Sequence, residues 1–258
     1  MSKKIHIISC VALLLIVVIA FLFLHHRENH SPVATIFITN QLVSSPQYNT
    51  NGLLRQDETV ALDVVRQIQE AGRDRNIKAI AFIIDSQGGD PESAEEITIA
   101  MKATKKPTVA LIRSEGDSPA YWVASASDRI FALPISMLGD IGITSSYVDN
   151  SIQDEANGLT FHQLSIGKYK DMGNTDKPLT ADEQALMMTQ MQAEANVFIN
   201  AVAENRHLSL EKVQALANGA SMSGTDALKN GLIDQIGSFA DVNSYLSSLI
   251  KTKVNLSI

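Results

Sequence analysis

An α/β fold built on a mostly parallel sheet is what the sequence predicts, and three observations predict it. Residues 78–85, Lys-Ala-Ile-Ala-Phe-Ile-Ile-Asp, form a continuous apolar run of the kind buried on both faces of a parallel sheet. Strand, loop and helix signals then alternate three times between residues 33 and 133, the pattern of a parallel sheet with crossover helices. Composition agrees: 45% hydrophobic and 19% charged residues describe a chain with a core.

The elements follow in order. Residues 33–39 are β-branched and end at Asn40, which predicts a first strand; 41–56, with Ser-Ser-Pro and Asn-Thr-Asn-Gly, predicts a long loop. Asp57 or Thr59 can cap a helix to Ala71 that carries Val60, Val64, Val65 and Ile68 on one face. The strand at 78–85 leads into Ser86-Gln-Gly-Gly-Asp90, and Pro91 opens a helix with Ala94, Ile97 and Met101 as its stripe. Strands at 107–113 and 129–133 bracket a turn at Gly116 and a helix over 119–126. Farther on, 160–166 reads as a strand and 167–178 as a polar loop. Thr180-Ala-Asp-Glu183 is a capping box opening a helix to about Arg206. Met187, Met191, Phe198 and Val202 give that helix a broad apolar face, for its own sheet or for a second subunit. Two shorter helices and a strand near 232–236 complete one domain over 33–258, with no repeats and no Pro- or Gly-rich linker inside it.

The N-terminus has a different character. In residues 5–24 only His6, Ser9 and Cys10 are polar, and a helix of that length spans about 30 Å, the hydrocarbon thickness of a bilayer. Lys3 and Lys4 precede it, which predicts a single-pass anchor with residues 1–4 cytoplasmic, 25–32 as linker and the main domain outside the cytoplasm, at the cell membrane. A cleaved leader is the rival reading, but Phe-Leu-Phe-Leu-His-His at 21–26 offers no small-x-small cleavage site. A formal charge of −7 with no basic run argues against nucleic acid as a partner. One cysteine, Cys10, excludes an internal disulfide framework and a Cys-x-x-Cys zinc site. No metal and no cofactor are expected.

Three loops at the C-terminal ends of the strands are where such folds place chemistry. Gly88-Gly89, before a helix, can turn backbone N–H groups toward a developing negative charge, or can simply make a turn. Ser118, on a sharp strand-to-helix turn before Pro119, reads as a nucleophile or as an ordinary N-cap. Gly167-Lys-Tyr-Lys-Asp-Met172 reads as a solvated loop unless a closed apolar pocket brings a lysine down from about 10.4 towards 7–8, a cost of about 4 kcal/mol.

Taken together, these segments resemble a known family. Ile84-Asp-Ser-Gln-Gly-Gly89 resembles the VDSPGG motif of the signal peptide peptidase A (protease IV) family. Ser118-Pro-Ala-Tyr-Trp resembles its nucleophile segment SGGYY, followed by Ala126-Ser-Asp-Arg-Ile-Phe-Ala; Leu138-Gly-Asp-Ile-Gly-Ile143 resembles its TGSIGV; and residues 167–171 are similar to the loop bearing its catalytic lysine in a Lys-Asp pair. Residues 218–237 resemble its C-terminal signature, so the likeness runs collinearly over about residues 33–250. The resemblance implies a ClpP/crotonase-like parallel sheet of ββα and βα units with flanking helices behind one transmembrane helix. It implies a serine endopeptidase with Ser118 as nucleophile, Lys170 as general base and Gly88–Gly89 as oxyanion donors. Signal-peptide remnants or other small hydrophobic peptides are the implied substrates, chosen by an apolar pocket, and the implied assembly is a ring-like homo-oligomer in which neighbours complete each site.

Two departures from the family bear on the chemistry. Pro119 stands where a glycine supplies the second oxyanion N–H, and proline has none. Asp140 stands where a serine helps position the lysine, and a carboxylate there favours the ammonium. Gln87 and Asp117 also differ. The alternative reading is therefore a weak or inactive scaffold of the same fold that binds peptides or a membrane partner. Gly116-x-Ser118-x-Ala120 is also a near-match to an α/β-hydrolase elbow, which would need Asp176 and His207, and a crotonase-like acyl-CoA enzyme shares the wider fold.

Overall fold

The computed structural model describes residues 31–46 and 58–256. The apolar run at 5–24 therefore lies outside the described residues, among which no helix is long and apolar enough to cross a membrane. Strand β1 (Val33–Val43) continues beyond Thr39, so Gln41–Val43 belongs to the sheet and not to the loop the sequence predicts. The short β2 (Glu58–Val60) pairs in parallel with that extension. Helix α1 (Ala61–Arg73) consequently starts three residues beyond β2's first residue, with Val60 at its N-cap and no side-chain capping bond. Asp57 lies outside the described residues, and Thr59 instead donates its hydroxyl to the Thr39 carbonyl at 2.6 Å.

Strand β3 (Ala79–Gly89) is the centre of the sheet, its first six residues all buried. After it come α2 (Pro91–Ala103), β4 (Thr108–Asp117), α3 (Pro119–Ser125), β5 (Arg129–Ala132) and β6 (Met137–Gly139). The strand order β2-β1-β3-β4-β5-β8 is parallel throughout, where β8 is Gln235–Ile236; β6 pairs with β4 and, antiparallel, with β7 (Ser221–Ser223). The α/β class with a mostly parallel sheet is thus observed.

Both faces of the sheet are covered, as a continuous apolar strand requires. Ile80, Phe82 and Ile84 point to the face packed by α1, α2 and α3, while Ala79, Ala81 and Ile83 point to the face closed by α8 (Phe239–Ile250) through Val242 and Leu246. Every residue of α3 is buried. Its Tyr121 hydroxyl donates to the Leu232 carbonyl at 2.8 Å, and its Trp122 stacks on Phe198 at 5.1 Å. The helix behind Ser118 is thereby fixed.

One expected strand does not form. Residues 160–166 are exposed and have no ladder partner among the described residues. Alternating apolar residues make a strand only where a neighbour satisfies the backbone, and here the chain leaves the sheet after β6. The excursion, residues 143–180, carries one short helix, α4 (Ser151–Ala156), with no buried residue. It leaves Ile152 83%, Leu164 96% and Ile166 100% exposed. Helix α5 (Ala181–Arg206) begins at the expected capping box, where Thr180 Oγ1 accepts the Glu183 N–H and Glu183 accepts the Thr180 N–H. Its C-terminal half packs on the core through Phe198, Ile199 and Val202. Met187 and Met191 are only half-buried, and Met188 is exposed. The face predicted for this helix is thus divided along its length. Helices α6 (Leu210–Leu216) and α7 (Gly224–Asn230) precede the last strand and helix.

Candidate active site

The end of β3 and the end of β4 meet at Ser118. Ser118 is half-buried, at φ 54° and ψ −129°, and its side chain makes no capping bond to α3. The ordinary N-cap reading therefore fails. A non-glycine residue in this region costs roughly 1–3 kcal/mol and persists only where its surroundings enforce it. They do so here: Ser118 N–H donates to Gly139 O at 2.8 Å, and Ser118 O accepts from the N–H groups of Tyr121 and Trp122 at 2.9 and 3.1 Å. Pro119, at the first helical position, suits the fixed φ and loses no helical bond.

Gly88 lies against this turn. A Cβ there would stand 2.8 Å from Pro119 Cδ and 3.0 Å from Ser118 Cβ, at a φ of 104°. Gly89 is tighter against β1, where a Cβ would meet Leu42 O at 2.0 Å. The bend is pinned by Ser86, which is 2% exposed; its hydroxyl donates to the Asn40 carbonyl in a short bond and accepts the Gly88 N–H at 3.1 Å. The Asp90 N–H reaches Leu42 O at 2.9 Å. Alternation along the ladder thus turns the Gly89 N–H away from β1. Sequence reasoning saw the glycines but missed Ser86, although that serine stands inside the same motif.

A cleft of about 760 Å³ opens beside the glycines and is lined by Asn40, Gln41, Asp85, Gln87 and Glu115. Among the described residues its lining is mostly polar. Asp85 Oδ1 accepts the Glu115 N–H at 3.3 Å, and Arg113 approaches its other oxygen at 3.8 Å. On the far side of Ser118 stand two further carboxyls. Burial pushes the Asp117 carboxyl above the usual range; the charges of Asp140 and Glu115 add to this, and a hydrogen bond with Ser221 opposes it. Asp117 Oδ1 is buried with no hydrogen-bond partner among the described residues. Burial likewise raises Asp140, whose φ is 46°.

Lys170 is on the excursion and exposed. Its own N–H caps a turn to Gly167 O at 3.1 Å. Among the described residues its ammonium has no carboxylate partner, and within one chain no hydrogen bond joins it to Ser118 or to Asp140. Its neighbours differ: Lys168 pairs with Asp182 at 2.6 Å, and Lys177 pairs with both Asp171 at 3.0 Å and Glu183 at 2.8 Å. His207 caps the C-terminus of α5 in a left-handed conformation and lines a different cavity with Lys102 and Asp234, so the hydrolase-type assignment to it finds no support.

Peptidase family S49 matches residues 100–253, which include Ser118, Asp140 and Lys170. The chain belongs to peptidase family S49. A putative protease of Methanocaldococcus jannaschii is 28% identical over 220 residues, 84% of this chain and 70% of that protein. Protease 4 of Salmonella typhi is 29% identical over 226 residues, 86% of this chain but 35% of that protein. A putative signal peptide peptidase SppA of Enterococcus faecium is 30% identical over 217 residues, 83% of this chain and 59% of that protein. Within S49 the chain resembles SppA and protease 4, and it spans 35% and 59% of the length of these last two relatives.

Proposed function

We propose that the chain is a membrane-tethered serine endopeptidase in which Ser118 is the nucleophile and Lys170 of a neighbouring copy is the general base. The single observation that carries the first half is the strained, uncapped Ser118 packed on Gly88. The second half is supported by an exposed Lys170 that has no carboxylate partner among the described residues, on an excursion rich in uncovered apolar side chains.

Neutral Lys170 takes the Ser118 proton as Oγ bonds to the peptide carbonyl carbon. The carbonyl oxygen becomes an oxyanion facing the Gly89 N–H. Collapse breaks the C–N bond, and the Lys170 ammonium gives its proton to the leaving amine. Water, deprotonated by the Lys170 amine, then bonds to the acyl carbon, and the ammonium returns its proton to Ser118 Oγ as the ester C–O bond breaks. For the lysine to be neutral near pH 7–8 it must leave water, at about 4 kcal/mol. Leu164, Ile166 and Phe161, exposed in one chain, supply apolar walls once copies associate. The homo-oligomer is thus part of the chemistry. Residues 5–24 hold the enzyme at the cell membrane with residues 1–4 in the cytoplasm and the domain outside. Its substrates are extended peptides such as signal-peptide remnants.

Pro119 favours a second reading, an S49 scaffold that binds peptide and turns it over slowly. Losing one oxyanion donor costs about 2.7–4 kcal/mol, or roughly 10²–10³ in rate. A fluorophosphonate probe decides between them: stoichiometric labelling at Ser118, abolished in Ser118→Ala and in Lys170→Ala, supports the peptidase. Labelling that survives Ser118→Ala removes that residue from the mechanism, and a wild type that never labels supports the scaffold.

A further inference from the structure

The Lys170 loop contains more charge than its chemistry requires. The residue after the base is Asp171, a carboxylate one position away, and an opposite charge within about 4–6 Å stabilises an ammonium. A base that must lose its proton is poorly served by such a neighbour. In this structure the neighbour is engaged elsewhere: Asp171 Oδ2 lies 3.0 Å from Lys177 Nζ, with the carboxylate side chain only 12% exposed.

Lys177 is itself firmly held. It donates to Glu183 Oε1 at 2.8 Å, and that carboxylate, 4% exposed, also receives the Thr180 N–H and hydroxyl at the start of α5. Lys177 thus bridges two carboxylates, one on the loop and one on the helix. The same helix turn holds Lys168 through Asp182 at 2.6 Å. Two ion pairs therefore tie the loop to α5 on either side of Lys170 and leave its amine outward.

We propose that Lys177 is a positioning residue that occupies the Asp171 carboxylate, withholding it from Lys170 so that the Lys170 amine can be deprotonated. The bridge matters to catalysis only because of the reading of Lys170 as general base, on which this inference rests. The charged groups around Lys170 are Lys168, Asp171, Asp176 and Lys177 on its own segment, and Asp182 and Glu183 on α5. If Lys170 reaches Ser118 of a neighbouring copy, Asp117 and Asp140, close to that serine in sequence and strand pairing, are the further carboxyls it would meet. Asp176, with one buried oxygen that has no partner among the described residues, is the remaining carboxylate that could compete.

The pH dependence of acetylation by acetic anhydride, resolved residue by residue with mass spectrometry, reads the Lys170 amine without requiring turnover. In the full-length protein, Lys177→Met is expected to move the Lys170 midpoint upward by about half a unit, the size an exposed ion pair gives. At the wild-type midpoint this is a roughly twofold slower reaction. Lys177→Met with Asp171→Asn should return the midpoint to that of the wild type, and Lys177→Gln should behave as Lys177→Met does. A midpoint unmoved in Lys177→Met overturns the proposal. So does a shift that Asp171→Asn fails to cancel, which assigns the effect to Asp176 or to loosening of the loop. Fluorophosphonate labelling of Lys170→Ala separates the two readings. If labelling survives, Lys170 is not the base. If labelling is lost while the midpoint stays fixed, only the role of Lys177 fails.

Discussion

Gly88 and Ser118 touch so closely that a Cβ on the glycine would stand 3.0 Å from that of the serine, and 2.8 Å from the ring of the following proline. Gly88 also has a φ of 104°, which an L side chain rarely adopts. The neighbouring ring is part of a buried helix and cannot yield without moving α3. Gly88→Ala is therefore expected to displace Ser118 while the sheet survives. Fluorophosphonate labelling should fall roughly 10²-fold, the usual consequence of misplacing a reacting group by about 1 Å. Unchanged labelling together with an unchanged circular dichroism spectrum would show that the contact does not position the nucleophile.

Pro119 lacks the N–H that would face an oxyanion from the helix side. Pro119→Gly supplies it and removes the ring that crowds Gly88. Stability should drop by about 1 kcal/mol because the unfolded chain gains freedom, while ester hydrolysis should rise by up to 10²–10³. Asp140→Ser added to it should raise the rate further near neutral pH by removing a carboxylate beside Ser118. A Pro119→Gly enzyme no faster than wild type, but equally well folded, would show that the missing donor does not limit the reaction.

The parts of the fold that are local in sequence were legible, and those that depend on a distant partner were not. Strand β3 announces itself by eight residues of composition, and Gly88–Gly89 by the absence of side chains where β1 and α3 crowd in. The box at Thr180 and Glu183 is read from a spacing of three. By contrast, residues 160–166 have strand composition but no ladder partner among the described residues. The strain at Ser118 comes from a carbonyl contributed by Gly139, and the polar cleft from side chains of β1, β3 and β4 together. The Lys177 bridge from Asp171 to Glu183 was hidden for the same reason, since a lysine in a polar loop carries no sign of which carboxylate it will meet.

Asp117 sets a pH dependence of stability. Burial first, then the Asp140 and Glu115 charges, hold its folded pKa above the usual carboxylate value. The folded state therefore keeps a proton that the unfolded state has released. Stability attributable to this group is full below the ordinary value near 3.8 and is lost as pH rises through the raised folded value. Asp117→Asn retains an acceptor for Ser221 but not the charge, so it should be more stable than wild type at pH 7 and show no advantage at pH 3.5. Urea unfolding at the two pH values checks this, and an equal difference at both would refute it.

Glu183 acts with the opposite sign. The Lys177 ammonium, and then the Thr180 N–H, hold its carboxyl at about 2 against an ordinary 4.5. Its contribution is present above pH 4.5 and is lost as pH falls towards 2. Glu183→Gln should therefore flatten the loss of stability in that acid window. Thermal unfolding from pH 5 to pH 2.5 gives the comparison, and parallel curves for the two proteins would remove Glu183 from the acid response.

The excursion at 143–180 makes the last prediction. Leu164 and Ile166 are 96% and 100% exposed on the segment that carries Lys170. Burying such a side chain fully is worth about 1.5–3 kcal/mol, so two of them can govern association. Leu164→Asp and Ile166→Asp are expected to leave the monomer folded, because neither side chain touches the core. Each should weaken self-association by roughly 10-fold to 100-fold and, if the proposed site is shared between copies, lower Ser118 labelling in the same proportion. Sedimentation at several concentrations, run beside the labelling assay, measures both. Dissociated variants that still label at the wild-type rate would place the base within the same chain and end the case for a shared site.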